Sequence, residues 1–95
     1  MIKLGSVATF LAVARCGGFR EAAKNTGLSQ PAVTQHVKRL EQSLNVNLIA
    51  RNNAGSTLTP EGHVFLPYAE NMIRTYELAS TLFKKTSVVI GASSN

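Results

Sequence analysis

The sequence predicts a mostly α-helical fold: three helices and a short β-hairpin, followed by one long helix. Three observations predict it. Apolar residues recur three and four positions apart in the stretches before residue 45. Gly17-Gly18 and Thr26-Gly27 punctuate those stretches. Beyond residue 59, Phe65, Ala69, Met72, Tyr76, Ala79 and Phe83 follow one another at steps of four and three.

The first helix is expected over residues 3 to 15, where Leu4, Val7, Phe10, Leu11 and Ala14 share a face. Gly17-Gly18 stops it. A short helix from Arg20 to Asn25 follows, with Phe19 as a core plug and Ala22-Ala23 permitting close approach. Gly27 suits the positive φ of a helix end. Ser29 can cap the next helix through its hydroxyl, and Pro31 falls in the first turn, where its missing N–H costs nothing. The third helix runs from Gln30 to Leu44. Val33, Val37, Leu40 and Leu44 form its inward stripe.

Residues 46 to 59 read as two short extended pieces around the turn-rich tip Asn52-Asn53-Ala54-Gly55, a β-hairpin or wing. Thr59-Pro60-Glu61 then opens the long helix with an N-cap, a first-turn Pro and an acid at the positive dipole end. From residue 60 to 84 it would extend roughly 37 Å at 1.5 Å per residue, longer than so small a core can cover. Phe65, Ala69, Met72, Tyr76, Ala79 and Phe83 are therefore expected to pair with the same helix of a second chain. Pro67 interrupts this helix and removes the partner of the His63 carbonyl, so a kink is expected there. The chain divides at 59 and 85, and residues 86–95 read as a β-type run and turn, the start of a further domain or a loose tail.

Composition narrows the function. Ten Lys plus Arg against five Asp plus Glu give a net charge of +5 in 95 residues, which points to a polyanionic partner. A single cysteine, Cys16, allows no intrachain disulfide and implies no oxidising compartment. No apolar run approaches the ~18 residues of a membrane span, and no signal peptide opens the chain, so a cytoplasmic location is expected. Cys16 reads as a small, partly buried residue, and His36 as packing beside the inward stripe of the third helix. His36, His63 and Cys16 lack zinc-site spacing. No nucleophile–base–acid set and no Gly-rich phosphate loop can be assembled, which argues against an enzyme.

The third helix carries the sharpest signal. Pro31, Gln35, Lys38 and Gln42 lie opposite its apolar stripe, with Thr34 and Arg39 on the flanks. A solvated helix face is usually a Glu/Lys mixture; this one is amides and cations. Two helices joined by a Gly-containing turn, the second with such a face, make a helix-turn-helix whose second helix enters the major groove.

The stretch "FLAVARCGGFREAAKNTGLSQPAVTQHVKRLEQSLNVNLIARNNAGSTLTPEG" resembles the N-terminal DNA-binding domain of LysR-type bacterial transcription regulators, and the resemblance covers roughly residues 3 to 84. It rests on Phe10 with Ala12-Val13-Ala14, Ala22-Ala23, Ser29-Gln30-Pro31-Ala32, Leu40-Glu41, Leu44, and Leu58-Thr59 with Gly62. Val88-Val89-Ile90-Gly91-Ala92-Ser93 is similar to the opening strand of that family's effector domain. The resemblance implies a winged helix-turn-helix with a dimerising linker helix, double-stranded DNA as partner, and a dimer on a pseudo-palindromic operator. It also implies, for the full-length protein, a tetramer and a small-molecule inducer bound in the effector domain; no cofactor is expected in residues 1–95.

The same resemblance assigns roles. Ser29, Gln30, Pro31, Ala32, Thr34 and Gln35 match the family positions that approach DNA. Ser29 and Thr34 can donate to phosphates. Gln30 and Gln35 match adenine N6/N7, and Pro31 and Ala32 offer apolar surface to a thymine methyl. Lys38 and Arg39 can reach phosphates. Arg51 matches the wing Arg, expected at a phosphate or a narrow minor groove. Many members carry Arg where this chain has Gln35, so a different base preference is expected there. Gly18 and Arg20 flank Phe19 where the family usually has Ser and Thr, so Arg20 is expected to replace a hydroxyl contact. Two other readings stay open: a protein-interaction module with a basic docking helix, and a DNA-binding domain similar to that of molybdate-responsive regulators.

Overall fold

The computed structural model describes the backbone of residues 1–52 and 55–93 and the side chains of 1–52 and 55–84. Three helices come first: α1 (Leu4–Cys16), α2 (Phe19–Thr26) and α3 (Gln30–Leu44). The hairpin β1 (Ile49–Asn52) and β2 (Gly55–Leu58) follows, then α4 (Pro60–Ser93). The strands are antiparallel, with Ile49 opposite Leu58 and Arg51 opposite Ser56. The tip residues 53–54 and the last two residues, 94–95, lie outside the described residues.

The expected stops work as local chemistry requires. Gly17 and Gly27 end α1 and α2 in the left-handed region, at φ 81° and 76°, each N–H returning to the carbonyl four residues back. Asn45, at φ 58°, does the same for α3. Ser29 caps α3, its hydroxyl oxygen accepting from the Ala32 N–H at 3.2 Å. Thr59 caps α4 by accepting from the Gly62 N–H at 2.9 Å, while its hydroxyl donates to the Asn47 carbonyl.

The core forms two adjoining clusters. Val7, Phe10, Leu11, Leu40, Leu48 and Ala69 make one, and Ala12, Val13, Phe19, Ala22, Val33 and Val37 make the other. Ile49 packs against both, so the start of the wing sits at their junction. The Phe10 and Phe65 rings, tilted and 5.6 Å apart, join α1 to α4.

Two expectations about α4 need correction. The helix does not give way to an extended run after residue 85; it continues to Ser93. Propagating an existing helix fixes one residue per added hydrogen bond, and the β-branched Val88, Val89 and Ile90 lower helix propensity only slightly. A lone strand there would leave its backbone groups without a ladder. The predicted dimerisation set is also divided. Ala69 is fully buried and Phe65 and Met72 are half-buried against the chain's own core, whereas Tyr76, Ala79 and Phe83 are exposed. The first half of the heptad stripe is used within the chain because α4 starts by crossing α1. Pro67 lies inside the helix.

Candidate nucleic-acid interface

The site starts at the turn between α2 and α3. Thr26 donates its hydroxyl to the Ala22 carbonyl at 2.8 Å, and its oxygen accepts from the Leu28 N–H. With Gly27 left-handed, the chain reverses within three residues and presents Ser29 as the cap of α3. Val33 and Val37 are buried below, which fixes the rotation of α3. Gln30, Pro31, Gln35, Lys38, Arg39 and Gln42 are consequently exposed, and Ala32 and Thr34 half-exposed.

The single acid of α3, Glu41, is turned off this face. One of its carboxylate oxygens accepts from the Leu48 N–H at 2.7 Å and the Ile49 N–H at 3.1 Å. Two backbone donors of the segment entering β1 are thereby satisfied, and the outer face of α3 keeps amides, hydroxyl and cations only. Nothing local in the sequence points to this role. The amides lie seven and eight residues further on, and only the folded chain brings them to the carboxylate.

The wing is tied back to the reading helix. Arg51 lies 3.7 Å above the Phe19 ring centroid, and its Nη2 donates to Thr34 Oγ1 at 2.9 Å. Arg20, Gln30 and Arg51 line one recess between α2, α3 and the wing. Arg39 lies elsewhere, sharing a shallow recess with Lys3, Ser6 and Ser43 beside the start of α1. Lys38, the residue before Arg39, lines a different recess on another side of α3, near Asn45 and Asn47. The cations predicted from sequence therefore fall around the α3 face, not in one cluster. Lys3 joins them, and no sequence pattern marked it.

His36 packs as expected. Its Nδ1 lies 3.0 Å from the buried Thr9 hydroxyl, which itself donates to the Gly5 carbonyl at 2.8 Å. Cys16 is half-buried and free. Among the described residues no group of three His, Cys, Asp or Glu side chains could hold a metal, and no helix is long and apolar enough to cross a membrane.

Residues 4–63 match the family model described as "Bacterial regulatory helix-turn-helix protein, lysR family". The HTH-type transcriptional regulator YxjO of Bacillus subtilis (strain 168), itself uncharacterized, is 46% identical over 69 residues, covering 73% of this chain and 24% of that protein. The HTH-type transcriptional regulator HdfR of Yersinia enterocolitica is 37% identical over 91 residues, 92% of this chain and 31% of its own length. The chain thus spans about a quarter to a third of these curated relatives. Among solved structures, the CbnR DNA-binding domain in complex with DNA superposes with a TM-score of 0.81 at 30% identity, covering 90% of this chain and 98% of that one. The BenM DNA-binding domain on the catB site 1 DNA gives 0.83 at 27% identity, with 90% and 96% covered.

Proposed function

The chain belongs to the LysR family of bacterial helix-turn-helix regulators, and from that premise we propose that it binds a specific duplex as a dimer, with α3 in the major groove. The observation that carries this reading is the outer face of α3, from which the helix's one carboxylate has been withdrawn into bonds with Leu48 and Ile49. A face of amides and cations approaches phosphates and base edges without repulsion. Gln35, directly opposite the buried stripe, and Gln30, in the first turn, are assigned to bases. Pro31 and Ala32 are assigned to a thymine methyl. Ser29, Thr34, Lys38, Arg39 and Arg20 are assigned to phosphates. No catalytic role is assigned to any residue. The full-length protein, on this reading, works in the cytoplasm, senses a small-molecule inducer in a separate domain and assembles further into a tetramer.

The test is selection from a random duplex pool followed by a salt titration on the winner. A pseudo-palindrome should emerge with half-sites about one duplex turn, ~34 Å, or a multiple of it apart, and affinity should fall steeply as salt rises. Equal binding to selected and random duplex would favour a protein-docking role for the basic helix. Gln35→Ala should cost about 1–3 kcal/mol at one base pair in each half-site and little at the others. A uniform loss over all positions would show that Gln35 reads no base.

The dimer is assigned to a different stripe of α4 from the one periodicity suggests. Val64, Tyr68, Leu78 and Leu82 are exposed at 68, 63, 63 and 58%. With the exposed Asn71 and Thr75 they keep heptad spacing along one side. Read against itself in the antiparallel sense, this stripe sets Val64 opposite Leu82, Tyr68 opposite Leu78 and Asn71 opposite Thr75 of a second copy. Every apolar residue then meets an apolar one and the two polar ones meet each other. In a Cys16→Ser background, Tyr68→Cys chains mixed with Leu78→Cys chains should crosslink across the interface on mild oxidation. Crosslinking of either variant with itself would indicate parallel helices instead.

A further inference from the structure

We propose that Arg51 acts on the duplex through Thr34, as a positioning residue, and not by a contact of its own; the proposal rests on the DNA-binding reading above. Two bonds hold the guanidinium to the protein. It stacks 3.7 Å above the Phe19 ring centroid, and Nη2 donates to Thr34 Oγ1 at 2.9 Å. Phe19 is no loose platform, being packed in the core cluster with Val33 and Val37, the residues that set the rotation of α3. To reach a phosphate, Arg51 would have to give up both the ring and the hydroxyl.

The consequence falls on Thr34. A helical Thr has two accessible χ1 wells, and its hydroxyl commonly turns back to a carbonyl of the preceding turn. Thr9, Thr26 and Thr81 do so, donating to Gly5, Ala22 and Glu77. Thr34 differs, because its oxygen faces Arg51 and accepts from it. One lone pair is thus engaged and the hydroxyl proton is left to be donated. Thr34 becomes a donor aimed by the wing, suited to an acceptor on the duplex: a phosphate oxygen, or a base acceptor such as guanine O6 or thymine O4. Arg51 also couples the wing to the reading helix, since it sits in β1 opposite Ser56.

A double-mutant cycle on the selected duplex tests this, with binding followed by fluorescence anisotropy across a salt series. Arg51→Ala and Thr34→Val should each weaken binding by about tenfold, the size of one oriented hydrogen bond to a charged group. The variant carrying both changes should bind no more weakly than Thr34→Val alone, and the salt slope should match wild type, because a neutral hydroxyl releases no counterion and no cation has been taken off a phosphate. Arg51→Lys should behave like Arg51→Ala, since an ammonium keeps the charge but loses the planar stack and fork. It also serves for the cycle if the alanine variant unfolds. The proposal is overturned if Arg51→Ala costs the same factor with or without the Thr34 hydroxyl, or if it lowers the slope by about 0.9, the signature of one lost phosphate contact. Absence of any preferred duplex for wild type overturns the DNA-binding reading and this proposal with it.

Discussion

Glu41→Ala should destabilise the domain by about 3–4 kcal/mol, read as a fall in the urea midpoint at unchanged slope. The carboxylate accepts from two backbone amides, at Leu48 and Ile49, and Leu48 is fully buried. Alanine would leave both donors without their acceptor, and each such loss is worth ~1–3 kcal/mol. Glu41→Gln keeps one carbonyl oxygen in place and should recover roughly half the deficit, because the acceptor survives and only its charge is gone. A loss below about 1 kcal/mol for the alanine variant would mean that water replaces the carboxylate at little cost. DNA affinity should fall as well, since these bonds fix where β1, and with it Arg51, meets α3.

Gly62→Ala should cost about 3 kcal/mol, against the direction that helix propensity predicts. Gly62 lies in the first turn of α4, and its φ is not in the left-handed region. An alanine in an open helix gains up to about 1 kcal/mol over glycine. Here a Cβ would collide with the Leu48 carbonyl oxygen and lie 3.1 Å from Leu58 Cδ2. That oxygen cannot move away, because it accepts from the Thr59 N–H at 3.0 Å and belongs to the segment that Glu41 holds. Either α4 shifts or the loop does, and overpacking of this kind typically costs ~1–3 kcal/mol or more. Gly5→Ala is the control. Nothing lies within 4 Å of a Cβ there, so that change should be neutral or stabilising by about 0.5–1 kcal/mol. Equal effects at the two glycines would remove the close-approach explanation.

Both sites show how far local pattern reaches. The boundaries of α3 were legible because Ser29, Pro31 and the Val33, Val37, Leu40 stripe each act within a turn or two of their own position. The hairpin was legible from its turn-rich tip, and its strands fall inside the predicted stretch. The outer face of α3 follows residue by residue for the same reason: once three apolar residues point inward, the helical period assigns the rest. The far end of α4 was not legible. Val88, Val89 and Ile90 favour strands by type, yet a strand needs a neighbour and a helix supplies its own hydrogen bonds. That the first half of the predicted stripe, Phe65, Ala69 and Met72, packs within the chain was not legible for a related reason. Periodicity finds an apolar face but cannot say what covers it, and α1 covers Ala69 and half of Phe65.

By itself the sequence determined the helical order of this protein, its caps and turns, its basic character and the amide-and-cation face of α3. All of these follow from the 3.6-residue period, from backbone preferences of single residues, and from charge. Only the tertiary structure decided that Glu41, which the helical period already sets off that face, holds Leu48 and Ile49, that Arg51 lies on Phe19 and bonds Thr34, and that Gly62 admits no side chain. Each of those joins a helix or strand residue to a different segment of the chain, at distances where one hydrogen bond or one methyl group changes the outcome, and no local periodicity carries that information.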